Sequence, residues 1–487
     1  MFSPLFRLPN ETLEEIAFHC SDSRKGNDAK NLRLTCRRVN AVTERVLWET
    51  RSVLLFLEQP NRLCSRTIRM LEDFKDGTCS LGATRWIKNI KVIARASYHR
   101  CSCHEFGETH LTDVVDYGLL TSALRALRNI RRVKCRIGLI HTPQSSFTER
   151  KVMDTLATLP LVSEFLVTYI RPPLNHSIPL DKLGNGHLQK LVINGSFRVA
   201  APEDNYLGSL SDLLARNPRI SHLELILDDL TRPFCFSDLF QHRPYPHILR
   251  LQTLILNGWS LECNSGVIPH LQSLQRLELH SGIVVEPELW TAFKDHGISL
   301  RHLHTCQINE ELLEYLNSFS ALETLVFNHQ LAPGPDTEES RTISRRFFER
   351  VLPHHNKTLQ ILRVQPFPDA CEWGVGLWNV EVLKALRRLE VLEIAPSMLE
   401  DHPVPESRRL MNSLVELALD LPFLRTLQLN SNIARRPYLA DTLASTRLSR
   451  SPRTPESALR IVALPVSTMW YTPWTVEEEI GLRLQTI

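Results

Sequence analysis

One phrase recurs along this 487-residue chain and limits what it can become: an apolar residue, two variable ones, a second apolar residue, one variable, a third apolar residue. It stands at Ile87-Ile90-Val92, Ile130-Val133-Cys135, Val162-Phe165-Val167, Leu188-Leu191-Ile193, Ile220-Leu223-Leu225 and Leu251-Leu254-Leu256. It continues at Leu274-Leu277-Leu279, Leu300-Leu303-Thr305, Leu322-Leu325-Phe327, Leu359-Leu362-Val364, Leu389-Leu392-Ile394 and Leu424-Leu427-Leu429, with Thr305 the one polar residue in the series. The starts lie 22 to 43 residues apart, room in most intervals for a returning helix and two turns. Such a unit cannot bury its apolar face alone, so the pattern predicts an α/β solenoid of parallel strands backed by helices. Candidate helices are Tyr206 to Leu214, Glu310 to Leu316 and Thr342 to Val351.

Side chains alternate across a strand, so residues between the phrase positions should face the open concave side. Charge is uneven along that side. From Arg85 to Lys151 there are 13 Lys or Arg against 5 Asp or Glu, a net of +8 in a chain whose total is +3. Lys91, Arg132, Lys134 and Arg136 are therefore the candidate contacts for an acidic or phosphorylated segment of a protein partner. The competing reading is a solvated basic patch with no specific partner.

Ahead of the repeats, Leu13, Ile16, Ala17 and Cys20 fall at i, i+3, i+4 and i+7, one stripe of an amphipathic helix that Asn10 can cap. After a polar break at Ser21 to Asn27, with Asp28 as a second candidate cap, Leu32, Cys36, Val39, Thr43 and Val46 continue at spacings of three and four. A few short helices within about 50 residues remove too little surface from water to stand alone. They must lean on the following chain, on another protein, or on both.

The Leu8-Pro9 start, Glu11, Leu13 and Ile16, the Leu34-x-Cys36-Arg37-x-Val39 segment and the closing Leu47-Trp48-Glu49 together resemble an F-box, the adaptor-binding motif of substrate receptors in SCF-type cullin-RING ubiquitin ligases. The likeness spans roughly residues 4 to 50; the polar Ser21 to Lys30 insert departs from the pattern. It implies that Leu8, Pro9, Leu13, Ile16, Leu34 and Val39 contact the adaptor subunit, and through it a cullin. The recurring phrase, with Asn194, Asn257, Asn328 and Asn430 after it, resembles the degenerate leucine-rich repeats of receptor-type F-box proteins. The implied fold is an α/β leucine-rich-repeat solenoid, parallel sheet plus helices, with a small N-terminal helical F-box module.

The expected organisation is an F-box at 1–50, linker helices or a cap at 51–84, the repeat array at 85–433, and a flexible tail at 434–487 with a possible terminal capping segment. Ser451-Pro452 and Thr454-Pro455 in that tail are candidate phosphorylation sites. No apolar run approaches the ~18 residues of a membrane span, the first residues have no secretory pattern, and the 11 scattered cysteines read as reduced thiols. The expected location is cytoplasm or nucleus, with neither membrane nor nucleic acid as partner. His99-x-Cys101-x-Cys103-His104 has zinc-ligand residue types without zinc-site spacing, so no metal and no cofactor is expected. No phosphate-binding loop, nucleophile elbow or paired catalytic carboxylates stand out. The chain reads as a non-catalytic substrate receptor; the alternative is a non-degradative repeat scaffold or inhibitor whose N-terminal helices only cap the array.

Overall fold

The computed structural model describes residues 8–21, 37–50, 52–58, 65–77, 83–95, 117–138, 153–157, 159–170, 180, 183, 186–196, 203–228, 233–241, 247–280, 285–328, 338–365, 371–396, 404–430 and 460–464. Leu34, the His99 to His104 cluster, Ser451 and Thr454 lie outside them. The chain forms two compact units, Met1–Leu300 and Arg301–Ile487.

The first unit opens with helices α1 (Asn10–Ser21) and α2 (Arg37–Thr50). Strand β1 (Ser52–Glu58) and helices α3 (Ser65–Asp76) and α4 (Ala83–Trp86) follow. Then come β2 (Asn89–Arg95), β3 (Arg132–Gly138), β4 (Glu164–Ile170), β5 (Lys190–Ser196) and β6 (His222–Asp228). The short β7 (Phe234–Cys235) and β9 (Trp259–Ser260) pair with each other on either side of β8 (Thr253–Asn257), and β10 (Arg276–Leu279) closes the unit's ladder. In that ladder the order β1-β2-β3-β4-β5-β6-β8-β10 is parallel throughout.

The second unit carries β11 (His302–Thr305), β12 (Thr324–Asn328), β13 (Ile361–Gln365), β14 (Val391–Ile394), β15 (Thr426–Asn430) and β16 (Arg460–Leu464). These strands are likewise parallel and stacked in chain order. The architecture is therefore α/β and of leucine-rich-repeat type in both units. Parallel neighbours require a crossover, and the intervals between phrases supply it as helices such as Glu203–Arg216, Glu310–Asn317 and Val404–Asp420.

The recurring phrase explains the register. Its second residue forms one row across the first unit, Ile90-Val133-Phe165-Leu191-Leu223-Leu254-Leu277, and its third forms another, Val92-Cys135-Val167-Ile193-Leu225-Leu256-Leu279. Every residue of both rows is buried, at 3% exposure or less. The first phrase residue, ahead of each strand, is buried too except for the half-buried Val162. Thr305, the polar exception, is also fully buried. Its hydroxyl donates to the Gln307 carbonyl at 3.1 Å and accepts the Gln307 N–H at 3.2 Å, so the polar group is satisfied locally.

Two strands lie outside the twelve phrases. Residues 51–84, expected as linker helices or a cap, begin with β1, whose Val53 and Leu55 extend the two apolar rows beside Ile90 and Val92. Within the expected tail, β16 pairs with β15 and sets Ile461 and Ala463 beside Leu427 and Leu429. The expected helix from Thr342 to Val351 is α-helical over Glu338–Arg346 and continues as a π-helical turn at Phe347–Val351. That turn buries Phe347 and Phe348, with Phe347 packed on Phe327 and Trp373.

Two histidines are buried in these cores. His270 stacks on Phe240 with ring centroids 4.3 Å apart and accepts the Leu249 N–H at Nδ1, 2.9 Å away. His355 donates from Nε2 to the Leu316 carbonyl at 3.0 Å. Burial, aided by His247 beside the one and His354 beside the other, lowers both pKa values from 6.5 to about 4. Above pH 6.5 these rings are neutral in folded and unfolded chains alike. Between 6.5 and 4 the unfolded chain takes up protons that the folded chain refuses, so stability falls as pH falls through that window. The urea midpoint should drop steadily over it, with a shallower drop in a His270→Asn, His355→Asn variant; an unchanged slope would assign the loss to other groups. Leu254→Ala, in the first unit's fully buried row, should cost about 2–5 kcal/mol in the same urea titration.

Candidate functional site

The N-terminal hairpin sorts its apolar residues into two sets. Pro9 accepts the Leu13 N–H at its carbonyl, 3.1 Å away, and so stands at the entry of α1. Asn10, expected as the cap, is the first helical residue. Leu13 and Ala17 of α1, with Val39, Thr43 and Val46 of α2, are buried. Pro9 is exposed, and Leu8 and Ile16 are half-buried. Leu13 and Val39 therefore belong to the module's interior, which corrects their placement as surface contacts. Among the described residues of the expected adaptor set, Leu8, Pro9 and Ile16 retain accessible surface.

The hairpin is tied both internally and to the first repeat. The Arg45 guanidinium on α2 bonds Glu14 of α1 at 3.0 Å and lies 4.8 Å above the Trp86 ring at the end of α4. Arg85 lies 5.0 Å from the same ring. Trp86 leads directly into Ile87, the buried first position of the repeat that contains β2.

On the open face of the first unit, register decides which candidate contacts meet. Lys91 of β2 lies beside Lys134 of β3, and the row continues through Leu166, Val192, Glu224, Ile255 and Glu278. Leu166 is half-buried, while Val192 and Ile255 are 8% and 7% exposed, forming an apolar floor between the charged ends. Two residues on in β3, Arg136 stands beside Thr168 and then Asn194. The Arg132 Nε is 3.3 Å from Glu164 on the next strand. The structure thus brings Lys91, Arg132, Lys134 and Arg136 onto one face, with Arg132 beside a carboxylate.

Further along, the face changes sign. His222 Nε2 is 3.6 Å from Glu224, and Glu278 is held by Arg276 and, at 3.3 Å, by His280. Burial alone raises the Glu278 pKa, but the hydrogen bond with His280 and the Arg276 guanidinium outweigh it and hold the value at about 2. Glu278 is an anion at any physiological pH.

The second unit's open face has a different centre. Glu393 is 4% exposed; Arg363 approaches it at 3.3 Å, and the side-chain amides of Gln365 and Gln428 donate to it at 2.5 and 2.9 Å. A nearly buried carboxylate thereby pins three neighbouring side chains in place. Among the described cysteines, burial pushes the Cys306 thiol up to about 12 and raises those of Cys235 and Cys263 as well, so these sulfurs are protonated at neutral pH. No described helix is long and apolar enough to cross a membrane.

No protein-family model matches the sequence, and no curated protein sequence does. Among solved structures, the chain is similar to one described as the crystal structure of the Rad7 and Elc1 complex in yeast, at 13% identity and a TM-score of 0.41, covering 87% of this chain and 88% of that one.

Arg45 joins α1, α2 and the first repeat through one guanidinium. Arg45→Ala removes a cation–π contact of about 0.5–1 kcal/mol at an exposed site and an ion pair of similar or smaller size. Limited proteolysis should then cut between α2 and β2 earlier than in wild type, while the global unfolding midpoint moves little.

Proposed function

We propose that the chain is the substrate-recognition subunit of an SCF-type cullin-RING ubiquitin ligase, taking the adaptor on its N-terminal hairpin and a target protein on its repeats. The observation that carries this reading is the division within the hairpin. Its interior is filled by Leu13, Ala17, Val39 and Val46, yet Leu8, Pro9 and Ile16, three of the residues the F-box resemblance assigns to the adaptor, retain accessible surface. A helical cap serving only the repeats has no need of an accessible Leu-Pro start.

In this reading the chain does no chemistry. A ubiquitin-loaded enzyme recruited through the adaptor and a cullin supplies the reactive thioester, and the receptor raises the local concentration of target lysines near it. The target is an acidic or phosphorylated protein segment drawn to the basic strands β2 and β3, and the chain works in the cytoplasm or nucleus.

The decisive experiment is co-purification of the full chain with the adaptor and cullin, wild type against a Leu8→Ala, Pro9→Ala double variant. Both residues lie outside the buried core, so the variant should fold normally. The expected outcome is capture by wild type and at least tenfold less by the variant. Equal capture would remove the assigned contact, and no capture by either would return the hairpin to the role of a cap.

A further inference from the structure

Among the described residues, Leu377 and Trp378, 53% and 45% exposed, are the one pair of large exposed apolar side chains adjacent in sequence. Their neighbours fix them in place. Asn379 is fully buried; its Oδ1 accepts the Gly376 N–H at 2.9 Å, and its Nδ2 donates to the Gly374 carbonyl at 3.0 Å. Val375 donates to the Ala395 carbonyl at 2.7 Å, and the buried Trp373 donates from Nε1 to Ser340 Oγ at 3.2 Å. The Trp378 ring meets the fully buried Phe348 ring at 85°, with centroids 5.3 Å apart. A loop held at so many points does not turn the pair inward, so their apolar surface stays in water until another segment covers it. A rigid Trp beside a Leu also loses little entropy when it is covered, the property of a docking anchor.

We propose that Leu377 and Trp378 are the docking site for a segment of this same chain beyond β16, Trp470 to Trp474. The proposal goes beyond the substrate-receptor reading and does not rest on it. Three observations select this occupant. The first is reach. β16 ends at Leu464 beside Asn430 of β15, and Leu429 stands beside Ile394, the residue before Ala395. Two strand steps and the Ala395 to Val375 hydrogen bond therefore separate Leu464 from Val375, ~14 Å at ~4.8 Å a step. Trp378 is at most ~10 Å further along the chain, while the stretch from Pro465 to Trp474 reaches ~33 Å when extended. The second is composition: Trp470, Tyr471 and Trp474 concentrate aromatic surface in five residues, with Met469 ahead of them. The third is charge. Glu477, Glu478 and Glu479 follow, and Arg345, one helical turn before Phe348, is exposed and makes no ion pair with the described residues. A tethered segment also acts at a local concentration that a second copy or a separate protein matches only when abundant.

The test is photo-cross-linking of the full chain with benzoyl-phenylalanine in place of Leu377, a change that keeps the position apolar. Irradiation should join residue 377 to the peptide containing Trp470 to Trp474 within one chain, read by mass spectrometry, and Trp470→Ser with Trp474→Ser should lower that yield at least tenfold. Cross-links confined to other parts of the chain, a covalent dimer, or an unchanged yield in the Trp470→Ser, Trp474→Ser variant would each overturn the proposal. Chymotrypsin, which cuts after accessible aromatic residues, gives a second readout. It should remove the tail from wild type at least tenfold more slowly than from a Leu377→Ser, Trp378→Ser variant; equal rates would also overturn the proposal. The Trp470 and Trp474 changes lie beyond the last strand, so they decide the question even if the loop variant folds poorly. Adaptor capture is a separate measurement, and its failure leaves this docking site standing.

Discussion

The whole arrangement depends on one backbone device repeated at the entry of most of the parallel strands: a single carbonyl that accepts two successive N–H groups from the next repeat. Lys88 accepts from Arg131 and Arg132, Arg131 from Ser163 and Glu164, Ser163 from Gln189 and Lys190, Gln189 from Ser221 and His222, and Ser221 from Gln252 and Thr253, all at 2.7–3.1 Å. The second unit repeats it at Arg301, Glu323, Gln360 and Glu390. The device satisfies donors that would otherwise be orphaned beneath the turn, and it fixes where each strand begins relative to its neighbour. A slip of one residue would turn Leu254 and Leu256 outward and Thr253 and Ile255 inward, so the hydrogen bonds and the apolar rows demand the same register. Irregular intervals of 22 to 43 residues are tolerated because variation is absorbed in the crossover, away from this point.

That division of labour explains which parts of the fold were legible in the sequence. The phrase carries its information in three buried positions at fixed spacing, and wherever all three are apolar the strand can be read directly. β1 escaped because the position equivalent to Ile87 is Thr50, which breaks the phrase although Val53 and Leu55 occupy the right rows. β16 lies in the segment expected as a possible terminal cap. It brings Ile461 and the small Ala463 into register with Leu427 and Leu429. Thr305 is the reverse case, a polar residue in a core row, tolerated because Gln307 folds back to take both sides of its hydroxyl.

The site was legible in composition but not in pairing. A surplus of basic residues locates the charged end, yet only the register reveals that Lys91 meets Lys134 and that Arg132 meets Glu164, a residue thirty-two positions later. Nor can sequence tell a helix stripe that seals its own hairpin from one that receives a partner, since both need apolar residues at i, i+3 and i+4. In α1 the stripe is divided: Leu13 and Ala17 turn inward, while Ile16, on the flank of the same stripe, is half-buried. The Arg45 link was hidden as well, because a guanidinium bridging Glu14 and Trp86 joins residues far apart in the chain with no local motif to mark them.

The link from Arg45 to Trp86 matters for function because a receptor of the proposed kind must hold two partners at a defined separation. A flexible tether would let the second partner sample a large volume and would dilute its effective concentration as the tether lengthens. Here the hairpin sits on Trp86, Trp86 runs into the buried Ile87, and four residues later Lys91 opens the basic strip. Through Trp86 the N-terminal helices are thus packed against the start of the strand that carries Lys91. Binding at the strip would place the target at a fixed offset from the hairpin, and the selectivity for target lysines would follow from that geometry.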